Sequence, residues 1–201
     1  MNKIKLLPSN IINEIAAGEV IERPVAVVKE LIENSIDAKS TRISINIVSG
    51  GVSKIIVSDN GNGIDKKYME ISIEKHTTSK LKGESLINIG TLGFRGEALN
   101  SISNASEFTI ISKSKSFSEA FNLKVLYGRK VSLTPSKGNV GTIVKVENLF
   151  KYLPVRKKFL KSENSETLAI KNLIKKISLT NPKITFIFLE EDIVKFQLIG
   201  R

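Results

Sequence analysis

From Glu107 to Phe150 the chain reads EFTIIS, EAFNLKVLY, RKVSLTP and GTIVKVENLF, with Gly138 and Gly141 marking turns between the last two. Runs rich in β-branched and aromatic residues, bounded by turn formers, predict strands. Strands that follow one another with no helical segment between them pair antiparallel, because a parallel crossover takes a dozen or more residues. Upstream, TRISINIVSGG alternates apolar and polar residues, and VSKIIVSD returns after the Gly50-Gly51 turn signal. Downstream, ITFIFLEED and IVKFQLIG read as a closing hairpin. Alternating βαβ units are absent, which argues against a Rossmann or P-loop fold.

Helical patterns flank these strands. Ser9 caps a short helix through Ile15 that ends at Gly18, and Pro24 opens PVAVVKELIENSIDA. A helix near residues 65–75, a short one from about Glu97, VRKKFLK after Pro154 and the longer SETLAIKNLIKKISL follow. The expected fold is an α+β two-layer sandwich, one mixed, mostly antiparallel sheet with helices on one face. The 201 residues suffice for one substantial core, and neither an internal repeat nor an interdomain linker is evident.

Composition removes several chemistries. With no cysteine, disulfides, thiolate metal sites and cysteine nucleophiles are excluded, and the single His76 excludes His-rich metal sites. The formal charge of +11 fits a polyanionic partner, nucleic acid above all, or a proteome that simply prefers lysine. No apolar run is long enough to span a bilayer, and MNKIKLLPSN lacks the apolar stretch of a secretory signal. A cytoplasmic protein is expected.

Four clusters carry possible chemistry. On the helix from Pro24, Val27, Val28, Leu31, Ile32 and Ile36 fall on one side, and Glu30, Glu33, Asn34 and Asp37 on the other. A solvated polar face would give the same pattern, but Asn34 and Asp37 are poor mid-helix residues, so propensity is given up for something. In SDNGNGID, Asp59 ends an apolar strand and Gly61 and Gly63 follow. That is either an ordinary turn or a carboxylate presented to a ligand lying against bare backbone. GTLGFRGEAL, with TTSK upstream, brings backbone N–H groups, Arg95 and Lys80 toward what reads as a phosphate cradle. Gly141-Thr142 opens a strand and alone says little.

Together and in this order, IAAGEVIERPVAVVKELIENSIDA, DNGNGI, HTTSK, GFRGEALNSI and GTIVKVENLF resemble the GHKL ATPases, and among them the MutL mismatch-repair family most closely. The resemblance covers essentially the whole chain and corresponds to the N-terminal ATPase region of that family. It implies that Glu30 is the general base, that Asn34 holds Mg²⁺, that Asp59 binds the adenine amino group, and that Gly63 and Thr142 support the base. It also implies an ATP lid over residues 76–96. The further nucleotide-binding positions it implies are Asp37, Ala38, Gly61, Thr77, Thr78, Ser79, Lys80, Leu92, Gly93, Phe94, Arg95, Gly96 and Glu97. His76, ahead of the lid, is read as a structural hinge contact.

The family pattern further implies an ATP-driven dimer of two such chains, a MutS-type mismatch-recognition partner, DNA bound without sequence preference, and no membrane. Following transducer and C-terminal dimerisation domains are expected beyond residues 1–201, including a lysine that reaches the γ-phosphate. LFKYLPVRKKFL departs from the family's LF-x-x-x-P-A-R at Tyr152, Leu153 and Val155. Within it, Arg156, Lys157, Lys158 and Lys161 form a basic cluster, either a solvated face or a DNA phosphate contact. The competing function is a basic DNA-binding module that uses nucleotide only as a conformational ligand. A chaperone-type ATPase is disfavoured by GFRGEAL, IAAGEV and the basic charge.

Overall fold

The computed structural model describes residues 21–75, 77 and 96–201. The expected Ser9–Ile15 helix and its Gly18 stop lie outside these residues. So do His76, Thr78, Ser79, Lys80, Leu92, Gly93, Phe94 and Arg95.

Among the described residues the elements run α1 (Pro24–Asp37), β1 (Arg42–Val48), β2 (Lys54–Asp59), α2 (Lys66–Met69), α3 (Ala98–Asn104), β3 (Glu107–Lys113), β4 (Ala120–Leu126), β5 (Arg129–Ser136), β6 (Gly141–Glu147), α4 (Pro154–Phe159), α5 (Glu163–Thr180), β7 (Thr185–Glu190) and β8 (Ile193–Leu198). A 3₁₀ turn, Ser49–Gly51, joins β1 to β2, and another, Ile71–Ile73, follows α2. The helix expected near 65–75 is thus two short pieces.

The strands form one eight-stranded sheet in the order β5-β4-β3-β6-β2-β1-β7-β8. Only β1 and β7 pair in parallel, and every other neighbouring pair is antiparallel. The sequence expectation of a mixed, mostly antiparallel sheet with helices holds. α1 and α5 pack on each other, α1 on β1 and β2, and α5 on β7.

Register explains where the core sits. On the helix-side face, one row across the sheet runs Val125, Phe108, Val146, Ile55, Ile47. The next runs Leu123, Ile110, Val144, Val57, Ile45, Phe188. All of these residues are buried. The third row is Phe121, Ser112, Thr142, Asp59, Ile43, Phe186. Its second, third and fourth positions are polar, so the apolar face opens onto a polar site where three strands end or begin.

α1 is built to reach that site. Pro24 takes the first-turn position, where a backbone N–H would have no helical partner and none is lost, after an extended Arg23. At the other end Ser40 N–H donates to Ser35 O and Lys39 N–H to Ile36 O, with Lys39 in the left-handed region at φ 63°. This is a Schellman stop with lysine where glycine is usual. Val27, Val28, Leu31 and Ile32 are buried as expected, but the stripe closes with buried Ser35, while Ile36 is only half-covered.

Candidate functional site

The polar row and the end of α1 face each other. Gly61 N–H donates to Asp59 Oδ1 at 2.8 Å, and Ser35 Oγ lies 2.9 Å from Asp59 Oδ2. Burial pushes the Asp59 carboxyl above its ordinary value, while these donors hold it partly back. A carboxylate kept in a poorly solvated place is an acceptor only, and suits a ligand that brings its own N–H donor.

The loop after Asp59 is wedged between two elements. Asn62 N–H donates to Ala38 O at the end of α1, at 2.8 Å, and Lys115 N–H donates to Asn62 O just after β3, at 3.2 Å. Gly63 has φ 71°, and a Cβ there would collide with the Lys113 carbonyl. Gly141, at φ 130°, likewise lies against the Asp59 carbonyl. Both glycines are required by backbone contact and by the left-handed region together.

Among the sequence-predicted residues, Asp59, Gly61, Gly63 and Thr142 come together with the C-terminal end of α1, where Asp37 and Ala38 sit. Glu30, Glu33, Asn34 and Asp37 are half-buried, whereas Lys29 and Lys39 are exposed, so this face of α1 is not a freely solvated stripe. Glu30 lies 3.6 Å from Lys29 Nζ, which also pairs with Glu33 at 2.9 Å. Gly96, at φ 64°, packs on the backbone of Thr77, and the Thr77 hydroxyl donates to the carbonyls of Ile71 and Glu74. Glu97 immediately precedes α3, a helix of 7 residues. Lys157, Lys158 and Lys161 are exposed and Arg156 half-buried, on and just after α4.

Two residues of the site were missed by sequence reasoning. Ser35 breaks an apolar stripe, and Ser112 takes the inward position after Phe108 and Ile110 in EFTIIS. A hydroxyl in an apolar register was the available signal for both. Ser112 Oγ accepts from Ile64 N–H at 2.8 Å, lies 3.0 Å from Gly141 O and 2.8 Å from Thr142 Oγ1.

The model of histidine kinase-, DNA gyrase B-, and HSP90-like ATPases matches residues 22–138, more than half of the chain and the part that carries α1, Asp59 and the glycine loop. The chain belongs to this ATPase family. Within it, the chain is 47% identical over 196 residues to the DNA mismatch repair protein MutL of Rickettsia akari, covering 96% of this chain and 32% of that protein. It is 49% identical over 183 residues to MutL of Rickettsia typhi, covering 91% and 30%. The chain therefore spans about a third of the length of the curated relatives it matches. Among solved structures it is similar to the Aquifex aeolicus MutL ATPase domain complexed with ADP, with a TM-score of 0.76 and 36% identity over 90% of this chain and 65% of that one.

Proposed function

We propose that this chain is the ATP-binding and ATP-hydrolysing region of a MutL-type DNA mismatch-repair protein. The observation that carries the reading is the polar row itself: Asp59 and Thr142, set in an apolar sheet face beside the end of α1, within an ATPase family match. An ADP-complexed neighbour of the same shape supports it.

In this reading Asp59 accepts from the adenine amino group, Gly63 lets the base lie against backbone, and Thr142 completes the pocket. Mg²⁺ takes oxygen ligands and is held through one or two protein oxygens together with substrate phosphates and water. The carboxamide oxygen of Asn34, among the carboxylates of α1, is a donor set of the fitting kind. When bound, the ion neutralises phosphate charge. Glu30, one turn before Asn34 on the same face, orients the attacking water and takes its proton. The water oxygen bonds to the γ-phosphorus as the bond to the β,γ-bridging oxygen breaks, and ADP carries away the electron pair.

The remaining assignments follow the same reading. Asp37, Ala38, Gly61, Gly96, Glu97 and the lid segment surround the nucleotide, and lid closure favours association with a second copy. A MutS-type protein and DNA are the partners, with Arg156, Lys157, Lys158 and Lys161 as phosphate contacts. No helix among the described residues is long and apolar enough to cross a membrane, and a role on DNA places the protein in the cytoplasm.

The test separates binding from chemistry. In the full-length protein, Glu30→Ala binds ATP nearly as wild type and loses turnover by about a hundred-fold or more, the usual contribution of a positioned base. Equal turnover in the two proteins sinks Glu30 as the base.

A further inference from the structure

Ser112 is 2% exposed and Thr142 8%, and their hydroxyls are not equivalent. Ser112 Oγ has one proton and two lone pairs. Ile64 N–H, a pure donor at 2.8 Å, takes one lone pair. The Gly141 carbonyl, a pure acceptor at 3.0 Å, takes the proton. Thr142 Oγ1, at 2.8 Å, is then left to donate to the second lone pair. This is the one assignment in which all three neighbours of Ser112 are served. It commits the Thr142 proton to Ser112 and leaves Thr142 Oγ1, which pairs in register with Asp59 across β2 and β6, to meet any further partner as an acceptor.

We infer that Ser112 is a positioning residue that makes Thr142 an acceptor, so that Asp59 and Thr142 together select a purine bearing an exocyclic amino group over one bearing an oxo group. The inference rests on the nucleotide reading above and adds the source of its base selectivity. An amino group brings two donor hydrogens to two acceptors, whereas an oxo group sets a third acceptor against them, and unpaired or opposed polar groups in a buried site are what discriminate strongly. Ser112 touches neither base nor phosphate in this scheme. Its effect passes entirely through Thr142.

The experiment is calorimetric titration of the 201-residue chain with ATP and with inosine triphosphate, which carries oxygen in place of the amino group. The expected ratio of affinities favours ATP in wild type. Ser112→Val removes the hydroxyl and keeps the shape of Ser112→Thr, which retains it, so this pair is informative even if Ser112→Ala does not fold. The valine variant should compress the ATP-to-inosine ratio by about tenfold, the scale of one misdirected hydrogen bond, and the threonine variant should restore it. Equal ratios in the valine and threonine variants overturn the inference, as does a valine variant that weakens both nucleotides alike. Asp59→Asn keeps the two levels apart. If it leaves ATP affinity untouched, the adenine site itself is misplaced. If it abolishes the preference while Ser112 variants do not alter it, only the role of Ser112 falls.

Discussion

Ser35 and Asp59 meet across the join between α1 and β2, the hydroxyl 2.9 Å from the carboxylate. The same hydroxyl lies 3.0 Å from the Leu31 carbonyl, one turn back in the helix. With a single proton to share, Ser35 either serves its own helix or stabilises the charge of Asp59. The contact places the helix that carries Glu30 and Asn34 directly against the strand end that carries the proposed adenine acceptor.

Ser35→Ala should therefore weaken ATP binding without emptying the site. Losing one donor to a partly buried carboxylate raises its pKa further and costs roughly tenfold in affinity, the range of a hydrogen bond to a charged group. Isothermal calorimetry reads this directly, and an unchanged Kd shows that the contact contributes nothing to nucleotide binding.

A second expectation concerns acid. Asp59 has a folded-state pKa above its ordinary 3.8, chiefly through burial. The folded state thus binds this proton more tightly than the unfolded chain does. The associated stability is fully present below the ordinary value and is lost as pH rises through the folded one. Comparing urea unfolding of wild type and Asp59→Asn, wild type should gain on the variant as pH is lowered through that window. ATP affinity should move oppositely, falling as the acceptor is protonated. A stability difference that is flat with pH contradicts the burial of this carboxyl.

Much of this was legible because register and function coincide. The antiparallel run from Glu107 to Glu147, the Pro24 start of α1 and Asp59 at a strand end are local patterns, and local patterns survive in sequence. The pairing of β1 with β7, parallel and distant in sequence, left no local trace. Ser112 stands in EFTIIS as one residue of a strand pattern, and only the pairing of β3, β6 and β2 aligns it with Thr142 and Asp59. The basic cluster after Tyr152 was visible as charge, but charge has no period that says which way it faces.

The base of α1 is held by an ion pair of unequal members. Arg23 Nη2 lies 3.0 Å from Glu166 Oε2, with the Arg23 side chain 33% exposed and that of Glu166 0% exposed. Arg23 Nε also donates to both carboxylate oxygens, and Lys161 N–H donates to Oε1. Arg23→Met leaves a buried carboxylate short of its counter-charge and should cost about 3–5 kcal/mol. Arg23→Met combined with Glu166→Leu should recover most of that, because no charge is then left buried. Chemical denaturation of the single and double variants decides it, and strictly additive losses would show that the two residues do not act as a pair.

The final prediction grades the glycines by what surrounds them. Gly138 has open φ and only the Ala120 Cβ near, at 3.5 Å, so Gly138→Ala should fall within about 0.5 kcal/mol of wild type. Gly61 is not in the left-handed region, but an added Cβ would sit 2.6 Å from Ser40 Oγ and 2.7 Å from Ala38 O. Gly61→Ala should cost about 1–3 kcal/mol, as overpacking does. Gly63 combines φ 71° with a collision on the Lys113 carbonyl, so strain of about 1–2 kcal/mol adds to the packing cost. The loop has nowhere to retreat, because Asn62 is tied to Ala38 on one side and to Lys115 on the other. To relieve the clash it must withdraw Ile64 N–H from Ser112, and with it the arrangement around Thr142. Gly63→Ala should therefore lose both unfolding free energy and ATP affinity, in the same variant, while Gly138→Ala loses neither. Urea midpoints and calorimetric titration of the three variants give the order, and a Gly63→Ala protein as stable and as tightly nucleotide-bound as Gly138→Ala would mean that the loop between α1 and β3 is free to move and does not shape the site.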